Sequence, residues 1–400
     1  MKKAENIGKK TIKFHNIVFL CGIIGVVLLN AAAWQSVAFC DWYIRHIFPL
    51  WGNTYGRLTS IVPVSVGEIM LILAVAITLF GIAFSIWNRI RRNRYRKALH
   101  YFAKAYAWTA LTVCYIMTLN CFILYHASGF SEKYMADVGE ADMMVADISG
   151  NAVTHAGGSS RRYTKEELAA LRDYIVEQCN TLAGTFKRDD NGGIIYEGDL
   201  IAEATKAMQR LGEEYEQLQG FYVTPKYLTY SGFFSQQYIM GYYFPFSMEA
   251  NINSVMYITN VAPTVCHELA HTKGFIYEND ANMIGYLACI QSEDTFLQYC
   301  GYLSVLNYVN NDFYASIGKD KELYGKHVRI SDTVADDNIF LTREDWEAVE
   351  KKAAVKTATV KKVSNALMET TLKLNGVEEG MKQYNEVVAL LLQYYDGELY

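Results

Sequence analysis

Three long apolar runs stand out from the mixed pattern of hydrophobic and polar positions along the chain. Residues 17–39 and 106–130 contain no Asp, Glu, Lys or Arg, and residues 61–87 contain only Glu68. Each run exceeds the roughly 20 residues that a helix needs to cross a bilayer. A signal peptide would carry a shorter apolar run of about 7–15 residues before a small-residue cleavage site, and the first run shows neither feature. The pattern predicts three retained transmembrane helices in a membrane domain of residues 1–130.

Basic residues flank these runs unevenly. Residues 1–15 carry five lysines and the connection 88–105 carries seven Lys or Arg, whereas the connection 40–60 carries two. Short loops rich in Lys and Arg stay in the cytoplasm, so the N-terminus is predicted inside and the chain after residue 130 outside the cytoplasmic membrane. A nucleic-acid patch is the alternative interpretation of 88–105, and its position between two spans disfavours it. We therefore expect the lipid bilayer as a partner, and no nucleic acid.

The rest of the chain predicts a linker and one further domain. Residues 131–162 include a polar stretch with Gly and Ser, which is typical of a flexible connection. Residues 163–400 are long enough for a domain with its own core. Residues 227–259, rich in Tyr, Phe and Ile with Gly and Pro punctuation, predict short strands. Helical patterns are predicted at 163–186, 200–221, from Pro263 onwards, and at 282–315, 343–374 and 380–395. The predicted fold is a mostly α-helical α+β domain with a small sheet.

Two groups of residues bear on the environment of the chain. Eight cysteines divide evenly between the membrane domain and the outer domain, and the latter four have no compact spacing. Buried free thiols are therefore favoured over disulfides. Cys266 lies next to a candidate metal ligand but points the other way on a helix. Glu68 is either a functional group within a span or a carboxylate that reaches the interface or pairs with another helix; the second interpretation is favoured.

The stretch VCHELAHTKGFIYENDAN, residues 265–282, carries the clearest candidate chemistry. On a helix, His267 and His271 lie one turn apart on one face, so both imidazoles reach one Zn²⁺ while Glu268 flanks the open coordination position. Gly274 follows where the helix must stop, a position that suits glycine. Two unrelated histidines on a helix are the alternative interpretation, and this context disfavours it. We predict a catalytic zinc site with His267 and His271 as ligands and Glu268 as the general base.

A catalytic zinc needs a third protein ligand, and two acidic residues compete for this role. The metzincin pattern requires a histidine at position 277, which is Tyr277. The ExxA[ND] pattern in ENDAN favours Glu278, with Asn282 one turn further on as a hydrogen-bonding support for the site. Asp280 stays open as the alternative ligand.

The segments FPFSMEANIN, HELAHTKGF, ENDANMIGYLAC and YCGYL, spaced as they are behind three apolar runs, resemble a family of bacterial multi-pass membrane proteins catalogued only as a domain of unknown function. The resemblance covers nearly the whole chain. It implies a zincin-like fold of the gluzincin branch, with His267 and His271 as ligands, Glu268 as the base and Glu278 as the third ligand. It brings no substrate with it.

The shared segments also contain Glu249, Asn251 and Asn253. In zincins generally, the strand before the HExxH helix pairs with an extended substrate. The resemblance therefore implies that residues 243–253 form the substrate-facing edge.

Two functions from different classes fit these patterns. The first is a membrane-anchored zinc metallopeptidase that hydrolyses peptide or protein substrates outside the cytoplasmic membrane. The second is a non-catalytic binding or signalling module whose metal is structural or absent. Glu268 favours the peptidase, because a structural site has no use for a base beside an open position. The candidates for stabilising an oxyanion are Tyr299, Tyr302 and His327.

Overall fold

The protein is described from a computed structural model, which covers residues 2–135, 144–146, 152–154, 163–374 and 386–400. The helices of the N-terminal part are α1 (Lys2–Gln35), α2 (Val37–His46), α3 (Phe48–Trp51), α4 (Arg57–Ile61), α5 (Val66–Ile90), α6 (Arg96–Met117) and α7 (Phe130–Tyr134). Two π-helical turns (Gly52–Gly56, Thr118–Phe122) and a 3₁₀ turn (Leu124–His126) complete this part.

Three helical segments are long and apolar enough to cross a membrane: His15–Gln35, Val66–Ile90 and Arg96–His126, hereafter spans 1, 2 and 3. Most of their apolar surface faces outward, since at most 28% of any apolar window is buried inside the protein. The prediction of three membrane-length helices is confirmed.

Span 3 begins ten residues earlier than predicted, because a tight turn joins it directly to span 2. Arg92 and Asn93 adopt positive φ angles of 50° and 61° in that turn. The Asn88 side chain accepts the N–H of Tyr95 at 2.8 Å and closes it.

The C-terminal domain is mostly helical, as predicted. Its helices are α8 (Lys165–Ala183), α9 (Leu200–Glu214), α10 (Ser231–Ser235), α11 (Val261–Thr272), α12 (Glu278–Ile290), α13 (Thr295–Ser316), α14 (Lys321–Tyr324), α15 (Asp332–Asp337), α16 (Arg343–Lys352), α17 (Thr357–Leu374) and α18 (Val387–Tyr394). The long pattern 282–315 is two helices, because Asp294 caps the start of α13 by accepting two backbone N–H groups. At α8, Thr164 and Glu167 form the reciprocal capping box that their spacing predicts.

The small sheet has three strands, β3 (Lys226–Tyr227), β4 (Gly241–Phe244) and β5 (Glu249–Ile252), in the order β3-β5-β4. β5 is parallel to β3 and antiparallel to β4, with Tyr242 opposite Asn251. The expectation that residues 243–253 form an edge is therefore wrong for most of that segment. A tight turn with Met248 at a φ of 54° folds β4 back on β5, and β5 becomes the central strand.

The predicted linker 131–162 falls largely outside the described residues. Its first residues belong to α7, and two short strands, β1 (Met144–Ala146) and β2 (Ala152–Thr154), pair antiparallel.

The core of the C-terminal domain lies around α11 and α12. Leu269 and Ala270 of α11 and Met283 and Leu287 of α12 are fully buried, with residues of α8, α9, α13 and α18 packed around them. All eight cysteines lie within the described residues and are free thiols, and the four of the C-terminal domain are buried.

Candidate metal centre

A short reversal between α11 and α12 builds the site. Lys273 ends α11, and Gly274 follows with a φ of 95°, which only glycine adopts without strain. The two helices pack closely at Gly285, where a Cβ atom would lie 3.1 Å from the carbonyl oxygen of Pro263. The reversal therefore brings the first turn of α12 beside the histidines of α11.

Three side chains meet at this point. His267 Nε2 lies 3.1 Å from His271 Nε2 and 3.1 Å from a carboxylate oxygen of Glu278, and His271 Nε2 lies 3.9 Å from the other Glu278 oxygen. Ligand atoms bound tetrahedrally at about 2.0–2.2 Å from a metal ion are about 3.3–3.6 Å apart. With one ligand atom from each residue, the three side chains lie within 4.8 Å of one another, so they form a cluster that could hold a metal ion.

The other ring nitrogen of each histidine makes a hydrogen bond outside the cluster. His267 Nδ1 lies 2.9 Å from Asn282 Oδ1, and His271 Nδ1 lies 2.7 Å from the carbonyl oxygen of Phe275. Because both oxygens are acceptors, each Nδ1 carries a hydrogen and each Nε2 is turned towards the cluster. Asn282 thus stands where the sequence places a supporting group.

Asp280, the alternative third ligand, is used elsewhere. Its side chain is 3% exposed and accepts the backbone N–H of Phe130 at 2.9 Å. The Glu278 side chain is 26% exposed, so the cluster is not sealed from solvent on that side. The structure brings Glu278, and not Asp280, to the two histidines.

The pKa values of the two histidines show that the Glu278 carboxylate favours a positive charge in the cluster. Burial lowers the pKa of His267, but the hydrogen bond and charge of Glu278 outweigh it and raise that pKa to about 9. Burial and the charge of His267 lower the pKa of His271 to about 4. A single proton on His267 therefore faces the Glu278 carboxylate, and a bound dication would replace it.

Glu268 lies beside these ligands without joining them. It is 4% exposed, and its Oε2 is a buried oxygen with no hydrogen-bond partner among the described residues. Burial raises its pKa to about 8, with the charge of His267 opposing and that of Glu278 adding to the shift. The edge strand β4 passes directly above it, because a Cβ on Gly241 would lie 2.5 Å from Glu268 Oε1.

The predicted oxyanion-stabilising residues lie in other networks. The Tyr299 hydroxyl donates to Asp337 at 2.7 Å, Tyr302 contacts the Tyr174 hydroxyl at 3.3 Å, and His327 contacts Asp173 at 2.8 Å. Two tyrosines outside the spans lie close enough to Glu278 to feel its charge: burial first, and Glu278 in addition, raises the pKa values of Tyr242 and Tyr308. Tyr242 belongs to the strand predicted to precede the motif, whereas no sequence signal distinguishes Tyr308.

The predicted substrate-edge residues are buried and bonded within the protein. Glu249 pairs with Lys226 and accepts the backbone N–H groups of Val66 and Gly67 at the start of span 2. Asn253 Nδ2 donates to the Ser235 hydroxyl at 2.9 Å.

Asn251 is also buried, and its Nδ2 lies 3.4 Å from the carbonyl oxygen of Tyr242. As a group, Glu249, Asn251 and Asn253 hold the sheet together and present no edge to a substrate. The open edge in this part of the sheet belongs to β4, which pairs only with β5 among the described residues.

Comparison with known families places the chain in one of them. A family model described as "Protein of unknown function (DUF3810)" matches residues 43–392. The chain belongs to this family. The match extends from α2, after span 1, to α18, so it includes spans 2 and 3 and the histidine cluster. No curated protein and no solved structure matches the chain.

Proposed function

We propose that this DUF3810 chain is a zinc-dependent metallopeptidase anchored in a membrane by spans 1 to 3. The observation that carries the proposal is the meeting of His267, His271 and Glu278 with one ligand atom each within 4.8 Å of the others, beside the buried carboxylate of Glu268. Two histidines and a glutamate are a standard ligand set of catalytic zinc sites, which keep a fourth position open.

The four residues have two roles in this proposal: three bind the metal, and one acts as the general base. His267, His271 and Glu278 would hold the metal, which when bound lowers the pKa of a coordinated water towards about 7 and polarises the scissile carbonyl. Glu268 accepts the proton of the attacking water and returns it to the leaving amine, a role typically worth about 10²–10⁴-fold in rate. A nearby dication favours the charged form of Glu268, which suits it to act as a base at neutral pH.

The proposal extends to fold and location. The helix pair α11–α12 beneath a small sheet supports a zincin-like domain of the gluzincin branch. The excess of Lys and Arg before span 1 and between spans 2 and 3 supports a cytoplasmic N-terminus. We place the catalytic domain on the outer side of a bacterial cytoplasmic membrane.

The deciding experiment uses the full-length protein in detergent or lipid nanodiscs. Glu268→Gln keeps the shape of the side chain and removes the base, so we expect full zinc content with peptide hydrolysis reduced by about 10²–10⁴-fold. The double variant His267→Ala/His271→Ala should lose both zinc and hydrolysis. Glu322→Gln, on an exposed glutamate of α14, serves as the matched control.

Two outcomes would contradict the proposal. Unchanged turnover in Glu268→Gln would refute the assigned base. Stoichiometric zinc without cleavage of any peptide in a broad library would favour the non-catalytic module.

A further inference from the structure

We propose that the site acts on membrane-anchored proteins and cuts them within a few residues of the point where their chain leaves the bilayer. This inference rests on the proposed peptidase function and adds its substrate class. It follows from how the sheet, the site and the spans are joined.

Strand β4 runs from the site to the start of span 2. At one end, a Cβ on Gly241 would lie 2.5 Å from Glu268 Oε1. At the other end, the Phe244 ring covers Gly67, where a Cβ would lie 2.3 Å from the ring. Three residue steps at about 3.4 Å each separate these ends, so Glu268 lies about 10 Å from the first turn of span 2 along the strand.

Buried carboxylates fix this arrangement at span 2. Glu249 accepts the N–H groups of Val66 and Gly67 at 3.1 and 2.7 Å. Glu68, in the same first turn, accepts the N–H groups of Thr229 and Tyr230 at 2.8 and 3.0 Å. Glu68 thus serves as a structural pairing group, and its partner is the backbone after β3 rather than another helix.

Span 3 makes hydrogen bonds to residues on the other side of the site. The Tyr243 hydroxyl donates to the carbonyl oxygen of Asn120 at 3.2 Å, and Asn120 Nδ2 donates to that of Pro245 at 2.9 Å. The Tyr277 hydroxyl, one residue before Glu278, donates to the carbonyl oxygen of Tyr125. With contacts to both spans, the site cannot lift away from the ends of the membrane helices without breaking buried hydrogen bonds.

The surface around β4 suits the boundary of a bilayer. Aromatic rings with a polar group favour the interface between lipid and water. The segment that contains β3, α10 and β4 exposes five aromatic side chains by 42–55%: Tyr227, Tyr230, Phe233, Tyr238 and Tyr242. The backbone N–H of Tyr230 donates to Glu68 in the first turn of span 2, so this aromatic surface adjoins the start of that span.

These observations favour a membrane-anchored protein as the substrate. The open edge of β4 offers backbone groups to an extended segment. An extended chain covers about 3.3–3.6 Å per residue, so the 10 Å between Glu268 and span 2 corresponds to about three residues. A protein held in the same bilayer is confined near the site, which raises the effective concentration of its segment, whereas a free peptide must be captured from solution.

The test compares one set of segments in two forms. The full-length protein is reconstituted into liposomes with a library of random 15-residue segments, each placed directly after a single transmembrane helix. The same segments are supplied as free peptides, and the Glu268→Gln protein provides the blank. We expect kcat/KM at least 100-fold higher for anchored segments, with cuts within about six residues of the anchor.

A second experiment inserts a spacer between the anchor and the cleaved segment. Inserting 20 flexible residues between the anchor and a cleaved segment should reduce its cleavage at least tenfold. Equal cleavage of anchored and free segments, or cleavage that survives the spacer, would overturn the inference and leave the peptidase function standing. No cleavage of either form would overturn both.

Discussion

The proposed third ligand offers the sharpest test of the site, because two neighbouring acidic residues on α12 make different contacts. Glu278 contributes an oxygen to the histidine cluster, 3.1 Å from His267 Nε2. Asp280 instead accepts the N–H of Phe130 at 2.9 Å and joins α12 to α7. We therefore expect Glu278→Ala to lose zinc affinity and Asp280→Ala to lose stability.

Glu278→Ala and Asp280→Ala are expected to change different quantities, the first zinc affinity and the second the free energy of unfolding. Groups that only support a ligand typically contribute about 10–100-fold to metal affinity, so removal of a ligand itself should exceed 100-fold, or more than about 2.7 kcal/mol. Asp280→Ala leaves the buried Phe130 N–H without its acceptor, which costs about 1–3 kcal/mol of unfolding free energy. Burial raises the pKa of Asp280 to about 7, so Asp280→Asn, which keeps an acceptor oxygen, should recover most of that loss.

Both quantities are measured on the same detergent-solubilised protein. Zinc affinity is read by competition with a chromophoric chelator, and stability by thermal unfolding of the metal-free form, which excludes stabilisation by bound zinc. We expect zinc affinity within twofold of wild type in Asp280→Ala and Asp280→Asn. A larger loss of zinc affinity in Asp280→Ala than in Glu278→Ala would refute the ligand assignment.

Three further predictions concern the surroundings of the cluster. Asn282→Ala should weaken zinc binding by about 10–100-fold, whereas Asn279→Ala, which lies outside the cluster, should not; equal effects in the chelator assay would contradict the support role. Because zinc must displace the proton that His267 holds below pH 9, the apparent Kd should rise about tenfold for each unit of pH lowered from 8 to 6, and a flat titration would refute this. Glu249→Gln should lower the unfolding free energy by about 3–5 kcal/mol, because Lys226 would stay buried without its counter-ion, and a loss below 1 kcal/mol would contradict the pairing.

Local patterns in the sequence predict the parts of the structure that depend on local physics. The three membrane-length helices follow from apolar length alone, and the capping box at Thr164 fixes the start of α8. The HExxH spacing places two imidazoles on one helical face. Gly274 and the acidic start of α12 then indicate where the second helix turns back. These features act over a few residues, so a single sequence contains them.

The parts that were missed depend on contacts between distant residues. Glu249 was expected at a substrate edge, but its partners Val66 and Gly67 lie more than 180 positions away. Lys226 carries no motif, and only the fold shows it as the buried counter-ion of Glu249. The sequence also selects no oxyanion-stabilising group among Tyr299, Tyr302 and His327, since 30 tyrosines offer no local distinction between a core hydroxyl and one beside the histidine cluster.

The same long-range contacts join the spans to the sheet beside the candidate site. The Lys226 ammonium donates to the carbonyl oxygens of Thr59 and Val64, so residues before span 2 surround a charge in the sheet. Removing residues 1–130 would expose the Lys226–Glu249 pair to water. It would also leave Tyr243 of β4 and the following Pro245 without their hydrogen bonds to Asn120. A carboxylate at the first turn of a helix is also stabilised by the helix dipole, so Glu68 and Glu249 favour the sheet and span 2 as one unit. The position of the candidate site relative to spans 2 and 3 is thus set by the fold itself, so the proposed metal binding and cleavage should be tested on the full-length chain.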